Sequence, residues 1–353
     1  MSQHFRIVTL GGDGIGPEVC DQSMRILEAI APRFENVVID LEPHDVGVGQ
    51  YQRSGEALPE ATFEACRQAD AVLLGAMGLP DVRYPDGREI APQLDLRERL
   101  GLYGGVRPIE LFHPQDTPLK GYAAGDIDFV LVRESTEGLF FGRGGDLDLN
   151  APLAEDRMRI TATGARRVCE LAFTWARQRD KQKKVTLIDK ANVLPSMVFF
   201  RHHFDEVAKA FPDIQAEYVY VDAAALFLVR RPQDFDVMVT ENMFGDILSD
   251  LAAGIVGGMG MAPSGDIGED AAVFQPSHGS APDIAGQGIA NPIAMHLSTA
   301  MMLDWLGHPE TLQAAADLKT AIAEVLTDPD ARTADMGGKL GTVEITDKII
   351  EAL

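Results

Sequence analysis

A predicted strand that passes directly into a helix with two aspartates constrains this chain more than any other segment. Residues 235–240 are mostly apolar and predict a buried strand, and the residues after Asn242 have helical periodicity. Asp246 and Asp250 are four residues apart, so both side chains project from one face of the first helical turns. Like charges at this spacing repel each other, and a hard divalent cation such as Mg²⁺ or Mn²⁺ would remove the repulsion. Two solvated surface carboxylates are the alternative interpretation, although apolar residues flank the pair.

Helical and strand patterns alternate along the rest of the chain, which is typical of an α/β protein. Helices are predicted at residues 17–30, 163–179, 195–210, 223–230 and 290–306, and strands at 5–10, 37–40, 128–132, 185–189, 216–221 and 272–274. Residues 142–152 are predicted to form an exposed loop or arm. With 353 residues, of which 46% are hydrophobic, the chain can fill one large or two moderate α/β domains.

The composition argues against several classes of partner. The formal net charge of −23 disfavours nucleic acids and anionic membranes. The longest apolar segment, 290–306, is interrupted by polar residues, so we expect a core helix there and not a membrane span. The first strand begins almost at Met1, which leaves no room for a signal peptide. Because Cys20, Cys66 and Cys169 are few and scattered, we expect reduced core cysteines in a cytoplasmic protein.

Positive charge is nevertheless concentrated in one region of the sequence. Arg97, Arg99 and Arg107 fall within eleven residues, and Arg133 follows the predicted strand 128–132. Open α/β sheets bind ligands at the C-terminal ends of their strands, and a guanidinium group can hold a carboxylate through two hydrogen bonds. Surface ion pairs with neighbouring glutamates are the alternative for each arginine taken singly. Together with the two aspartates, the arginines suit an acidic substrate that also chelates a cation.

Two glycine-rich loops are candidates for a nucleotide site. The first, 11–16, joins a strand to a helix, and the next strand ends in Asp40, as in a Rossmann unit. The Gly-x-Gly-x-x-Gly fingerprint fails, however, because Pro17 occupies the third glycine position and starts the helix instead. The second loop, 276–292, is rich in small residues, and its Asp283 could accept hydrogen bonds from two ribose hydroxyls. A purely structural loop would have the same composition.

A series of motifs in one order resembles a known enzyme family. The motifs are residues 11–18 (GGDGIGPE), 96–97 (LR), 106–108 (VRP), 132–134 (VRE), 189–192 (DKAN), 220–222 (YVD), 242–250 (NMFGDILSD) and 278–283 (HGSAPD). They are similar to motifs of the β-decarboxylating dehydrogenases, which include 3-isopropylmalate, isocitrate, tartrate and D-malate dehydrogenases. The resemblance covers essentially the whole chain.

The resemblance implies a two-domain isopropylmalate-dehydrogenase-like α/β fold with a shared extended mixed sheet, which differs from the Rossmann fold. Residues 1–103 and 257–353 would form the first domain, on the cofactor side. Residues 104–256 would form the second domain, with the dimer interface and the metal and catalytic residues. The expected partners are a small diacid substrate and a second copy of the chain, in a homodimer with shared active sites.

The resemblance also implies a role for each candidate residue. Substrate contacts would come from Gln93, Arg97, Arg107, Arg133 and Phe140, and cofactor contacts from Ile15, Gly75, His278, Gly279, Ser280, Ala281, Asp283, Ile284 and Asn291. Asp246 and Asp250 would bind Mg²⁺ or Mn²⁺ together with Asp222 of a second subunit. Lys190 of that second subunit and Asn192 would act with Asp222 near the reacting hydroxyl and the nicotinamide.

NAD is the implied cofactor. NADP-dependent relatives carry lysine followed by tyrosine where this chain has Asp283 and Ile284. A carboxylate accepts hydrogen bonds from both ribose hydroxyls of NAD, whereas the 2′-phosphate of NADP would bring like charge against it. We therefore expect a strong preference for NAD.

The implied reaction is an oxidative decarboxylation. Hydride leaves C2 of the substrate as its hydroxyl is deprotonated, and a divalent cation stabilises the enolate that remains when CO₂ departs. A proton must then reach C3. The family's usual tyrosine for this step is replaced here by Phe140, which cannot donate a proton. Lys190, water or a displaced group would have to supply it, or the final step would be slow.

The substrate's C3 substituent is suggested by the segment before Arg97. Ile90, Ala91 and Gln93 depart from the residues typical of isopropylmalate and isocitrate enzymes. A buried Gln93 amide would be unfavourable against an isopropyl group unless it is paired, although Leu94 and Ile90 could form an apolar pocket if the helix rotates. We therefore expect a tartrate or D-malate type of substrate, with 3-isopropylmalate as the alternative. A weakly active regulatory subunit is a third interpretation.

Overall fold

The structure is a computed structural model that describes residues 2–143, 145 and 149–353. The strands are β1 (Gln3–Gly12), β2 (Val37–His44), β3 (Ala71–Ala76), β4 (Gly104–Glu110), β5 (Asp128–Glu134), β6 (Lys184–Asp189), β7 (Gln215–Tyr220), β8 (Val237–Thr240), β9 (Pro263–Ile267) and β10 (Ala272–Pro276). The helices are α1 (Gly16–Ile30), α2 (Val48–Ser54), α3 (Glu60–Gln68), α4 (Pro92–Arg99), α5 (Ala162–Arg179), α6 (Pro195–Ala208), α7 (Val221–Arg230), α8 (Asn242–Gly254), α9 (Ile293–Leu306), α10 (Pro309–Val325) and α11 (Thr342–Ala352).

These strands form one mixed sheet in the order β2-β1-β3-β10-β9-β4-β5-β8-β6-β7. Neighbouring strands are parallel except at the centre, where β9 is antiparallel to β10 and β4, and β4 is antiparallel to β5. A Rossmann sheet is mostly parallel throughout, so the antiparallel centre confirms the predicted mixed sheet and excludes that arrangement. Strand β10 pairs with β3, so the N-terminal and C-terminal segments share one half of the sheet.

Successive side chains on a strand point to opposite sides of the sheet, so each strand contributes to a core on both faces. The cores on the two faces differ in extent. On one face, residues such as Ile7 belong to a continuous core that also includes α1, α5 and α9. On the other face the core is divided. Val8 packs with Phe63 of α3 in one part, and Leu131 packs with Leu248 of α8 in the other. The division leaves a cleft over the central strands.

Most predicted elements are present with shifted ends. The predicted strand 37–40 extends to His44, and Val221 begins α7 instead of ending a strand. The helix predicted at 290–306 begins at Ile293, because Asn291 and Pro292 precede its first turn. Part of the predicted arm at 142–152 lies outside the described residues.

The three cysteines are buried and free, as predicted. In the part of the chain that the structure describes, no helix is both long enough and apolar enough to cross a membrane. The predicted domain boundaries at 103/104 and 256/257 stay predictions.

Candidate active site

Three arginines distant in sequence meet in the cleft over the central strands. Arg97 lies on α4, Arg107 on β4 and Arg133 on β5, and all three are buried. The cleft has a volume of about 220 Å³. Its other lining side chains that sequence analysis singled out are Gln93, Leu94, Phe140, Asp246, Asp250 and His278. Arg99, the fourth arginine of the sequence cluster, instead pairs with Glu60 at the surface.

Arg107 has hydrogen-bonding capacity that the described residues do not use. Its Nε and Nη1 atoms are buried and have no hydrogen-bond partner there. Burial lowers the pKa of the Arg107 guanidinium to about 10, with the nearby Asp266 acting in the opposite direction. Buried polar groups in folded proteins are nearly always paired, so these atoms indicate a site for an anionic ligand.

Arg133 is held rigidly by helix α8. Its Nε and Nη2 atoms donate to Asn242 Oδ1 at 2.9 and 2.6 Å, and Nη1 donates to Asp246. Asn242 Nδ2 in turn donates to the Glu137 carbonyl oxygen at 3.0 Å. A Cβ atom on Gly245 would lie 2.7 Å from Arg133 Cγ, so only glycine lets the arginine side chain pass this close to the helix. Sequence analysis did not predict that Asn242 positions Arg133.

Asp246 and Asp250 both line the cleft, as their spacing on α8 requires. Burial and the neighbouring Asp246 carboxylate raise the pKa of Asp250. Two carboxylates that repel each other at a cleft wall are suitable oxygen ligands for Mg²⁺ or Mn²⁺. Among residues 2–143, 145 and 149–353, however, no three acidic, histidine or cysteine side chains are arranged to hold a metal ion.

Lys190 and Asp222 form a pair outside the cleft. Lys190 follows β6, Asp222 lies in the first turn of α7, and Lys190 Nζ donates to Asp222 Oδ1 at 2.6 Å. That hydrogen bond lowers the pKa of Asp222. The turn is anchored by the buried Asp189 carboxylate, which accepts two hydrogen bonds from Arg201, each 2.9 Å long. Neither the pair nor the exposed Asn192 lines the cleft.

The loop after β10 reaches the cleft at one end only. Ser277, His278 and Gly279 line the cleft, and His278 Nε2 is buried without a hydrogen-bond partner among the described residues. Burial lowers the pKa of His278. Asp283 is exposed, with Ile284 half-buried beside it.

The five other predicted cofactor residues have contacts within the protein. The Ser280 carbonyl oxygen accepts a 2.8 Å hydrogen bond from the Ile15 backbone, next to half-buried Ala281. A Cβ atom on Gly75 would lie 2.3 Å from the Gly16 carbonyl oxygen, so Gly75 serves close packing. Asn291 Oδ1 accepts a 3.0 Å hydrogen bond from the backbone N–H at the start of α9.

A larger cavity of about 780 Å³ lies on the opposite face of the sheet, between α5 and α9. Its walls are mostly apolar, and its cations are already paired. Arg179 contacts Asp128, and Lys319 contacts Asp304. The candidate chemistry therefore belongs to the smaller cleft, which contains unpaired buried donors.

Comparisons with known proteins show the family of the chain. A sequence model of the family described as "Isocitrate/isopropylmalate dehydrogenase" matches residues 6–352. The chain belongs to this family. It is therefore a decarboxylating dehydrogenase that acts on a CH–OH group, as the sequence resemblance predicts.

Relatives in the family cover nearly the whole chain. The 3-isopropylmalate dehydrogenase of Listeria monocytogenes serotype 4b (strain F2365) is 42% identical, over 99% of this chain and 98% of the relative. That of Aquifex aeolicus (strain VF5) is 40% identical, over 99% and 97%. Among solved structures, an isocitrate dehydrogenase from Methylococcus capsulatus superposes with a TM-score of 0.88 at 37% identity, covering 99% of both chains.

Proposed function

We propose that this enzyme catalyses the NAD-dependent and divalent-metal-dependent oxidative decarboxylation of a malate-type 2-hydroxy diacid. The observation that carries the proposal is the cleft itself, in which three buried arginines face two aspartates on one helix. The arginines supply donors for two substrate carboxylates, and the aspartates supply oxygens for a hard cation. A substrate that both carries carboxylates and chelates a cation fits this combination.

The relatives favour 3-isopropylmalate as the substrate. The curated relatives quoted above are named 3-isopropylmalate dehydrogenases, which supports the alternative from sequence analysis better than the tartrate or D-malate interpretation. Leu94 lines the cleft and could contact an apolar C3 substituent, but Ile90 is packed against Val48 in a separate core. Leu94 and Ile90 therefore share no pocket in this conformation, and the apolar pocket that the two could form would require the helix to rotate.

One observation keeps tartrate as the second candidate. Gln93 lines the cleft, and its Oε1 atom is buried without a hydrogen-bond partner among the described residues. The C3 hydroxyl of tartrate could donate to this oxygen, whereas an isopropyl group or the C3 hydrogens of D-malate could not. Tartrate and 3-isopropylmalate thus differ in whether the C3 substituent satisfies the hydrogen-bonding capacity of Gln93.

The arginines and the aspartates of the cleft would have different roles. Arg97, Arg107 and Arg133 would hold the substrate carboxylates and fix C2 for hydride transfer to the nicotinamide of NAD. Asp246 and Asp250 would hold the cation, which when bound supplies Lewis-acid stabilisation of the charge that develops on the substrate oxygen.

Proton transfers would fall to a second subunit and to solvent. Lys190 of that subunit would accept the C2 hydroxyl proton. Phe140 lines the cleft with its ring centroid 5.1 Å from Arg133 Cζ, but it has no hydroxyl to protonate C3. We therefore assign the C3 proton to Lys190 or to water.

A second copy of the chain would complete the site. Asp222 and Lys190 lie outside the cleft of their own chain, although the proposed chemistry needs both inside a cleft. Helices α6, α7 and α8 expose large apolar side chains, which supports a subunit interface on the surface that these helices form. They are Val198, Phe199, Leu226, Val229 and Ile247. The free buried cysteines support the proposed cytoplasmic location, because reducing compartments keep thiols unbridged.

A substrate panel tests the proposal. Purified enzyme with NAD⁺ and Mn²⁺ would be offered 3-isopropylmalate, D-malate and tartrate while NADH and CO₂ are followed together. We expect both products in equal amounts with one substrate, loss of both with EDTA, and a large loss in Arg107→Met. Arg99→Met, which removes an arginine outside the cleft, is the matched control. Binding of these diacids without any turnover would support the regulatory-subunit interpretation and contradict the proposal.

A further inference from the structure

A buried carboxylate lies behind the arginine cluster, and the mechanism above does not use it. Asp266 is on β9 and is completely buried. Its Oδ2 atom accepts hydrogen bonds from Arg97 Nε at 3.0 Å and from Gln275 Nε2 at 2.6 Å. Its Oδ1 atom lies 4.0 Å from Arg107 Nη2 and has no hydrogen-bond partner among the described residues. A charge in this position competes with any anion that binds the same arginines.

The carboxylate of Asp266 is ionised. Burial alone would raise the pKa of Asp266, but the guanidinium groups of Arg97 and Arg107 outweigh burial and hold this pKa below its ordinary value. A fixed negative charge therefore lies directly behind two arginines that line the cleft.

Asp266 changes the charge balance of the cleft. Arg97, Arg107 and Arg133 are balanced in number by Asp246, Asp250 and Asp266. Without Asp266 the same group of side chains would have one net positive charge, which would favour an additional carboxylate on the ligand. With Asp266 present, a cation and a doubly charged anion bring the balance back to zero.

We propose that Asp266 is a specificity-determining residue that restricts the cleft to substrates with two carboxylates and disfavours a third. This inference rests on the proposed function, in which the arginines hold the substrate carboxylates. Arg97 and Arg107 are partly neutralised before the ligand arrives, so a third carboxylate would meet the field of Asp266 without a free cation to offset it. Specificity here comes from a repulsive group placed behind the binding residues.

Two matched anions test the inference without catalysis. Tricarballylate is glutarate with a third carboxylate on its central carbon, so the pair differs by one charge. Calorimetric titration of the protein without metal or cofactor gives the ratio of the two affinities. Asp266→Asn retains an oxygen acceptor for Arg97 and removes the charge, and we expect it to raise the affinity for tricarballylate relative to glutarate by about tenfold or more.

The control removes a comparable carboxylate elsewhere. Asp116 is buried and holds Arg332 through hydrogen bonds of 2.8 and 3.0 Å, outside the cleft. Asp116→Asn should leave the affinity ratio unchanged. Asp266→Ser removes the same charge as Asp266→Asn with a smaller side chain, and circular dichroism establishes that each variant is folded before titration.

Three results would overturn the inference. The first is an unchanged ratio in the folded Asp266 variants, and the second is wild-type protein that binds tricarballylate at least tenfold more tightly than glutarate. The third is the absence of binding of either anion by any form, which would also remove the arginine site on which the proposed function rests. A shifted ratio in an enzyme that turns over no hydroxy diacid would contradict the proposed function alone.

Discussion

Lys190 Nζ donates a 2.6 Å hydrogen bond to the Asp222 carboxylate, and this pair lies outside the cleft that contains Arg107 and Asp246 in the same chain. Folding of one chain thus assembles two incomplete sets of side chains, one with the carboxylate-binding arginines and one with the lysine. If both sets serve one reaction, they must come from different copies of the chain. Mixed oligomers can test this arrangement directly.

We expect two inactive variants to restore activity when they are mixed. Lys190→Ala damages the lysine set and Asp246→Asn damages the cleft, so each homodimer should be inactive. In a mixed dimer, one site would combine the intact cleft of the first variant with the intact lysine of the second. Random exchange should therefore restore about a quarter of the wild-type activity, measured as NADH formation after joint refolding.

Mixing Asp246→Asn with Arg107→Met is the control for this experiment, because both changes damage the cleft and no intact site can form by the same exchange. Equal activity in the two mixtures, or none in either, would show that the active site is contained in one chain.

Phe140→Tyr should increase decarboxylation relative to hydride transfer. The Phe140 ring lines the cleft, so a hydroxyl added there would reach the space in which C3 must be protonated. The rate of CO₂ formation relative to the rate of NADH formation in single-turnover experiments measures the effect, because the final amounts of the two products are equal. Phe141→Tyr is a suitable control, because the neighbouring ring is about half exposed and stacks on Arg159. A ratio that does not change in Phe140→Tyr would show that another group already protonates C3 efficiently.

The cofactor preference should depend on the exposed Asp283. The wild-type enzyme is expected to favour NAD⁺ over NADP⁺ by at least about a hundredfold in kcat/KM, because the 2′-phosphate would face a carboxylate. Asp283→Lys combined with Ile284→Tyr should reverse much of this preference. Glu269→Lys, which adds the same charge at another exposed position, should not. Comparable efficiency of the wild type with both cofactors would contradict the assignment.

His296 should make the stability of the fold sensitive to acid. Its Nδ1 atom is 2.9 Å from Ser23 Oγ and its Nε2 atom 3.1 Å from Thr346 Oγ1, and burial lowers the pKa of His296 to about 3. The pKa of histidine in an unfolded chain is about 6.5, so the stabilising contribution is present above that pH and is lost as the pH falls towards 3. We expect the free energy of unfolding to fall by about 2 kcal/mol between pH 7 and pH 5 from this group.

Urea denaturation at the two pH values measures this loss. His296→Gln retains hydrogen-bonding atoms but does not titrate, so its stability should change less between pH 7 and pH 5 than that of the wild type. His202→Gln, at an exposed position on α6, should behave like the wild type. Parallel pH dependence in all three proteins would show that His296 is not responsible.

The sequence alone predicted those features of the site that depend on residues close together in the chain. The spacing of Asp246 and Asp250 places both on one helical face, and the proline at position 17 excludes the dinucleotide fingerprint. Asp266 was missed because its partner Arg97 is 169 positions away in the chain, and local periodicity carries no information about such a contact. The available local signal for Asp266 was a charged residue in a strand whose other residues are uncharged.

The position of β10 between β3 and β9 also affects the order in which the chain can fold while it is being synthesised. The ribosome releases β1, β2 and β3 early, but β10 and the helices α9 and α11 that cover the same half of the sheet come last. Strands β5 to β8 are adjacent both in sequence and in the sheet, so the middle segment can pair its strands first. We expect pulse proteolysis of stalled nascent chains to show protection of the middle segment before the N-terminal one. The last hundred residues would then be the part that closes the N-terminal half, and a chain that terminates early would leave its first strands and α1 uncovered in the crowded cell.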